Sequence, residues 1–271
     1  MNLDTVRDVL RQDVLAVRRT RLVQAVVGLY VAFVGVIFWV SGLDPDFVVA
    51  DAIQATVLLG FLFVPLVSLM TSYLSVAGER ESGTIRFLLG YPVTRSEVVL
   101  GKHLSRLAVV WTGVVLAFVV GAVGAVVMYP EPKLAAVVTF CALTLLFAGA
   151  YVGVGTAISV TSRSRRRAMT KTFVTYFVLT LFWSRAGPTT VPKLVSGVLD
   201  IAFGVQPSGG AWEVFEALSP GEAYFQTLQL LPGEILGGTS IGGATVVVVL
   251  CLWIVLPPAL GYLSFVRADI D

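Results

Sequence analysis

Six apolar runs, each near the roughly 20 residues that an α-helix needs to cross a hydrocarbon core, leave this chain few folds to choose from. They lie at Leu22–Ser41, Ala55–Ser75, Leu107–Met128, Leu134–Val160, Ala168–Ser184 and Ile241–Val266. Lipid offers a backbone N–H or C=O no partner, so runs of this length fold as helices whose hydrogen bonds close within each segment. Composition agrees: 56% of residues are hydrophobic and 13% are charged, where a soluble domain has about a quarter charged. The expected fold is all-α, a polytopic membrane protein with six transmembrane helices in a single domain over residues 1–271. Pro65 in the second run, and Pro257 with Pro258 in the sixth, are expected as kinks inside helices, because neighbouring helices or water can serve the freed carbonyls. The fifth run is the shortest, and Lys171 at its inner end can snorkel.

Orientation follows from the bases. Before the first run stand Arg7, Arg11, Arg18, Arg19 and Arg21, and after the second come Arg80, Arg86, Arg95, Lys102 and Arg106. Arg163, Arg165, Arg166, Arg167 and Lys171 follow the fourth, and Arg267 the sixth. The other side keeps Lys133, Arg185 and Lys193. The basic side is expected to be cytoplasmic, with both termini there, as an even number of spans requires. The membrane is expected to be the cytoplasmic one. Residues 1–21 place Leu3, Val6, Leu10, Val14 and Val17 at helical spacings of three and four, which reads as an amphipathic helix on the inner face. Acids mixed among its bases, and the long apolar run that follows, argue against a cleavable signal sequence. A plain cytosolic tail is the alternative.

The densest charge and turn signals fall between the second and third runs, in a loop of residues 76–106. Ile85, Leu88 and Leu89 crowd one flank of a short helix, while Glu79, Arg80, Glu81 and Arg86 rim it, as on a docking surface. Gly90 and Pro92 stop that helix. Thr94 then opens another three residues before Glu97, in a capping-box arrangement. From Arg95 the pattern runs unbroken to Met128, about 50 Å at ~1.5 Å per residue, so its first turns must stand clear of the bilayer.

Glu-Arg-Glu-Ser-Gly-Thr at 79–84, Leu-Leu-Gly-Tyr-Pro-Val-Thr-Arg at 88–95 and Leu-Gly-Lys at 100–102 resemble the first cytoplasmic loop of ABC-2 type transporter permeases. In that family the loop holds a coupling helix that sits in a cleft of a separate ATPase. The resemblance therefore implies ATPase-coupling roles for Glu79, Arg80, Glu81, Gly83, Thr84, Ile85, Arg86, Leu88 and Leu89. It also implies two copies of this chain with two ABC-type ATPase subunits, and ATP with magnesium held on the ATPase rather than any cofactor bound here. An ordinary charged loop is the alternative. Between the fifth and sixth runs, residues 185–240 carry helical pieces near 194–205 and 211–218, and a further one opened by Ser219-Pro220-Gly221-Glu222-Ala223-Tyr224. That pattern resembles the family's outer segment and implies an external gate at Ser219, Pro220, Glu222 and Tyr224, with an extracytoplasmic partner conceivable. A surface-lying loop is the alternative. The Gly-rich spans and long outer segment are also similar to the permease that serves nitrous oxide reductase maturation.

Enzymatic motifs are missing. Gly101-Lys102 has Ser96 where a phosphate-binding loop needs glycine and His103 where it needs Ser or Thr, so the chain holds no ATP site of that kind. Gly238-Thr239-Ser240-Ile241-Gly242 matches a hydrolase elbow in letters, but no strand precedes it and His103 is expected on the opposite membrane face, solvated or interfacial. One histidine and two separated cysteines give no metal-binding spacing, and nothing points to nucleic acid. Cys141 and Cys251, inside apolar runs, read as small core residues. No run carries a charge at its centre, where an ion-coupled carrier would need one, so energy is expected from an outside ATPase. Ser68, Thr71, Ser72, Thr172, Thr175 and Thr180 either line a polar path between the second and fifth runs or satisfy nearby backbone. Gly149, Gly153 and Ala157 form a stripe for close helix approach, within one protomer or between two. The basic loop at 163–167 reads as meeting lipid headgroups, with a second ATPase contact as the other reading. A secondary carrier or channel, and a non-transport scaffold, remain the rival functions.

Overall fold

The computed structural model describes residues 3–18, 21–44, 46–83, 93–183, 190–227, 231 and 243–266, and among them every regular element is a helix. In chain order these are α1 Leu3–Arg18, α2 Arg21–Ser41, α3 Val49–Ser72, α4 Ala77–Ser82, α5 Arg95–Met128, α6 Leu134–Val160, α7 Arg165–Tyr176, α8 Val191–Phe203, α9 Gly210–Ala217, α10 Pro220–Thr227 and α11 Gly243–Val266. Among the described residues, five helices are long and apolar enough to cross a membrane: α2, α3, α5, α6 and α11. The fifth run is not among them. Its chain forms α7 and then a π-helical turn, Phe177–Phe182. The apolar part, residues 168–183, reaches about 24 Å at ~1.5 Å per residue, short of a hydrocarbon core of roughly 30 Å.

Caps decide where the spans begin. Glu97 Oε2 accepts the Thr94 N–H at 2.9 Å and Thr94 Oγ1 accepts the Glu97 N–H at 3.4 Å, so both side chains serve orphan donors at the start of α5. From there α5 runs 34 residues without a break, as the sequence predicts. The helix α3 starts at Val49, six residues before the apolar run. Asp51 accepts the Val48 N–H at 2.9 Å in the first turn.

The core sits around α6, which is buried on nearly every side along its second half. Its small residues face α11 within the same protomer. A Cβ built on Gly149 would come within 2.9 Å of the Ile254 side chain, and one on Gly261 within 3.1 Å of the Ala157 backbone. Closest of all is Gly153, where a Cβ would lie 2.3 Å from the Trp253 carbonyl oxygen and 2.9 Å from that of Ile254. The prolines explain this. Pro257 and Pro258 lack the N–H groups that would otherwise bond the carbonyls four residues back, Trp253 and Ile254. Those freed oxygens turn toward α6, and only glycine leaves room for them.

Candidate functional site at the basic end of the bundle

At the end of the bundle where the arginines gather, α4 is one and a half turns long and held from all sides. A helix of six residues cannot stabilise itself, so its position is set by its neighbours. Ser159, on α6, supplies the cap that the sequence of α4 lacks: its Oγ accepts the N–H groups of Val76 at 2.9 Å and Ala77 at 3.1 Å. Three consecutive side chains then point three ways, because successive helical residues are turned by about 100°. Glu79 Oε1 accepts from Lys102 Nζ of α5 at 2.6 Å. Arg80 donates to the Val160 carbonyl at the end of α6 at 3.2 Å, and its guanidinium stands 4.7 Å from the centre of the Phe265 ring of α11. Glu81 Oε2 accepts the Arg165 N–H at 2.5 Å, capping the N-terminus of α7. Gly83 closes α4 at φ +76°, the left-handed cap that glycine takes without strain.

Arg95, at the start of α5, binds the other side of the same assembly. It donates to the carbonyls of Phe265 at 2.9 Å and Val266 at 3.2 Å, the negative end of α11, and its guanidinium lies 5.4 Å from the same ring. Behind α4 lies a buried ionic network. Lys102 Nζ also donates to Asp13 of α1 at 3.2 Å, Arg106 reaches that carboxylate at 3.1 Å, and Ser105 Oγ donates to it. Glu79, Arg80, Glu81 and Gly83 are thus brought together as a single contact centre. Thr84, Ile85, Arg86, Leu88 and Leu89 lie outside the described residues.

Residues 9–270 match the model of the ABC-2 family transporter protein. The chain belongs to this family. Two curated relatives, each named probable ABC transporter permease protein NosY, are 26% identical to it. That of Pseudomonas aeruginosa matches over 141 residues, 51% of either chain, and that of Stutzerimonas stutzeri over 120 residues, 43% of this chain and 44% of the relative. The match thus spans about half the length of these relatives. Family membership and the five long apolar helices together fit a multi-pass membrane protein.

The other sequence candidates fall at two places. Ser219 Oγ accepts the N–H groups of Gly221 at 3.2 Å and Glu222 at 3.3 Å, and donates to the Leu179 carbonyl of the π turn at 3.1 Å. With Pro220 at the first helical position, this starts α10. Tyr224 is fully buried: its ring stacks on Phe147 at 4.1 Å and its hydroxyl meets Thr144 Oγ1 at 3.1 Å. Glu222 is buried too, taking a 3.4 Å bond from Gln226 Nε2, so α10 carries a carboxylate into a bundle whose spans lack central charges. In contrast α8 leaves Leu194, Val198, Ile201 and Phe203 exposed.

The hydroxyl set divides. Thr71, Ser72 and Thr172 donate to carbonyls of their own helices, and Thr180 Oγ1 meets the Tyr151 hydroxyl at 2.9 Å. Ser68 Oγ is buried without a hydrogen-bond partner among the described residues, and Thr175 is half-buried. His103 is buried, not solvated, with Nδ1 3.2 Å from Thr156 Oγ1, because α5 turns it toward α6.

The sequence reading missed Asp13, Lys102, Ser105 and Arg106 as a group. The signal was present in the spacing: donors at i, i+3 and i+4 share one helix face, and two cations there at the foot of an apolar span call for a carboxylate.

Proposed function

We propose that this permease is the membrane half of an ATP-driven transporter whose ATPase is a separate ABC subunit docking on the elbow between α3 and α5. The observation that carries this reading is the grip of α4, where Glu79, Arg80 and Glu81 bind α5, α11, α6 and α7 at once. A push on such an element reaches four helices without passing through a flexible joint. The α5 rod, about 50 Å long, extends that motion into the membrane.

In this reading the basic end and both termini face the cytoplasm, and α7 with its π turn completes a sixth crossing, its short apolar stretch met by local thinning of the bilayer and by snorkelling of its flanking bases. Two permeases assemble with two ATPases, which hold ATP and magnesium. ATP-driven closure of the ATPase pair moves α4, and the bundle shifts a central path between the membrane faces. The hydroxyl-bearing faces of α3 and α7 border that path, and α10, with Ser219, Pro220, Glu222 and Tyr224, closes its outer end.

The test is reconstitution of the permease in lipid nanodiscs with an ABC ATPase encoded beside it. The permease is expected to retain the ATPase on an affinity column and to change its vanadate-sensitive ATP hydrolysis. Transport that survives vanadate and collapses with an uncoupler would instead identify an ion-coupled carrier. An ATPase neither bound nor affected would leave a scaffold.

A further inference from the structure

We propose that Asp13 is a positioning residue of the coupling site, making α1 part of the unit that an ATPase would move; this rests on the coupling reading above. The Asp13 carboxylate meets three donors on one face of α5, Lys102, Ser105 and Arg106, and Lys102 passes the contact on to Glu79 of α4 at 2.6 Å. Three helices are thereby joined through one buried ammonium group. The side chains of Lys102, Arg106 and Asp13 are only 3%, 9% and 10% exposed, respectively.

Stability alone does not account for this arrangement. Removing four charges from water rarely yields net stabilisation over apolar side chains of the same size. Nor does α1 need the charges to dock, since Val6 is buried and Val9 already packs on Gly101 of α5, where a Cβ would approach to 2.7 Å. Among the described residues the network is also incompletely satisfied: Glu79 Oε2 and Arg106 Nε are buried with no hydrogen-bond partner there. What the charges supply is geometry. Asp13 neutralises Arg106 and holds Lys102 where it fixes Glu79, so α1, α4 and the foot of α5 keep one relative position.

The experiment uses the full permease with its ATPase in nanodiscs, with Cys141 and Cys251 replaced by alanine and spin labels at Gln12→Cys and Ser82→Cys. Pulsed EPR should give one narrow distance within each protomer, separated from the inter-protomer distances by diluting labelled with unlabelled permease, and the same without nucleotide and with ATP plus vanadate. Asp13→Asn should broaden it and cut permease-dependent ATP hydrolysis roughly tenfold, within the range of coupling changes seen along such networks. Asp13→Glu should retain most of both. Asp13→Asn combined with Arg106→Gln restores charge balance and leaves the Lys102–Glu79 pair, so its melting temperature should recover while hydrolysis stays low. Recovery of hydrolysis along with stability would make the network merely structural and overturn the proposal, as would normal hydrolysis in Asp13→Asn. If the unaltered permease does not affect hydrolysis, the coupling reading fails instead. The label distance in the isolated permease then still decides whether Asp13 sets the placement of α1 against α4.

Discussion

Gly153→Ala would add one methyl group where α6 meets the freed carbonyls of α11. The new Cβ would stand 2.3 Å from the Trp253 oxygen, and a carbon–oxygen contact relaxes at about 3.3 Å, so the helices must part by roughly 1 Å. The obstacle is backbone, so no rotamer change relieves it. Overpacking of this kind costs about 1–3 kcal/mol, and the rigid neighbour places this case near the top. The gain in helix propensity, at most about 1 kcal/mol, offsets only part. A net loss of about 1–2 kcal/mol should lower the melting midpoint by roughly 3–6 °C in a thermal melt of the detergent-purified protein. Gly197→Ala is the control: a Cβ there meets nothing within 4 Å, and the midpoint should hold or rise slightly. Adding Pro257→Ala to Gly153→Ala restores an N–H for the Trp253 carbonyl and should recover part of the loss as a non-additive term. A Gly153→Ala protein that melts at or above the parent temperature would refute the account of the freed carbonyls.

Lys102→Met leaves Asp13 and Glu79 facing each other without their shared cation. A loss of about 2–3 kcal/mol is expected, below the usual figure for a fully buried pair because Glu79 is 28% exposed, and a urea or thermal melt reads it. Glu81→Ala removes a cap from the start of α7 and should cost about 1 kcal/mol, visible as faster amide exchange in residues 165–168 while that of α5 is unchanged. Tyr224→Phe keeps the stack on Phe147 but loses the Thr144 contact, for about 0.5–1.5 kcal/mol; Tyr224→Ala should cost about 3–5 kcal/mol. Equal melting shifts for the two Tyr224 variants would deny the ring its place in the core.

Much of the architecture was legible because lipid permits few solutions. Run length, cap letters and proline positions are local properties, and the long helix from Arg95 to Met128 follows from them alone. So does the opening of α10 by Ser219 and Pro220, since a cap needs only residues within one turn. The fifth run departs from a single long helix for a local reason as well: its apolar stretch is short, and π-helical winding does not register in a pattern tuned to 3.6 residues per turn. The stretch around α4 was visible as a motif, but its partners were not, because Lys102, Val160 with Arg165, and Phe265 come from three separate parts of the chain.

The sequence by itself therefore determined that this is a bundle of membrane helices with its charges drawn to one end, and which residues cap and bend those helices. Only the tertiary structure decided which side chains meet there: that Asp13 turns inward to α5, that Ser159 caps α4, and that Gly153 faces two freed carbonyls. The physical reason is range. Hydrogen bonds within a helix are fixed by neighbours three and four residues away, whereas pairing between helices depends on how they rotate and cross when packed, which no single segment encodes.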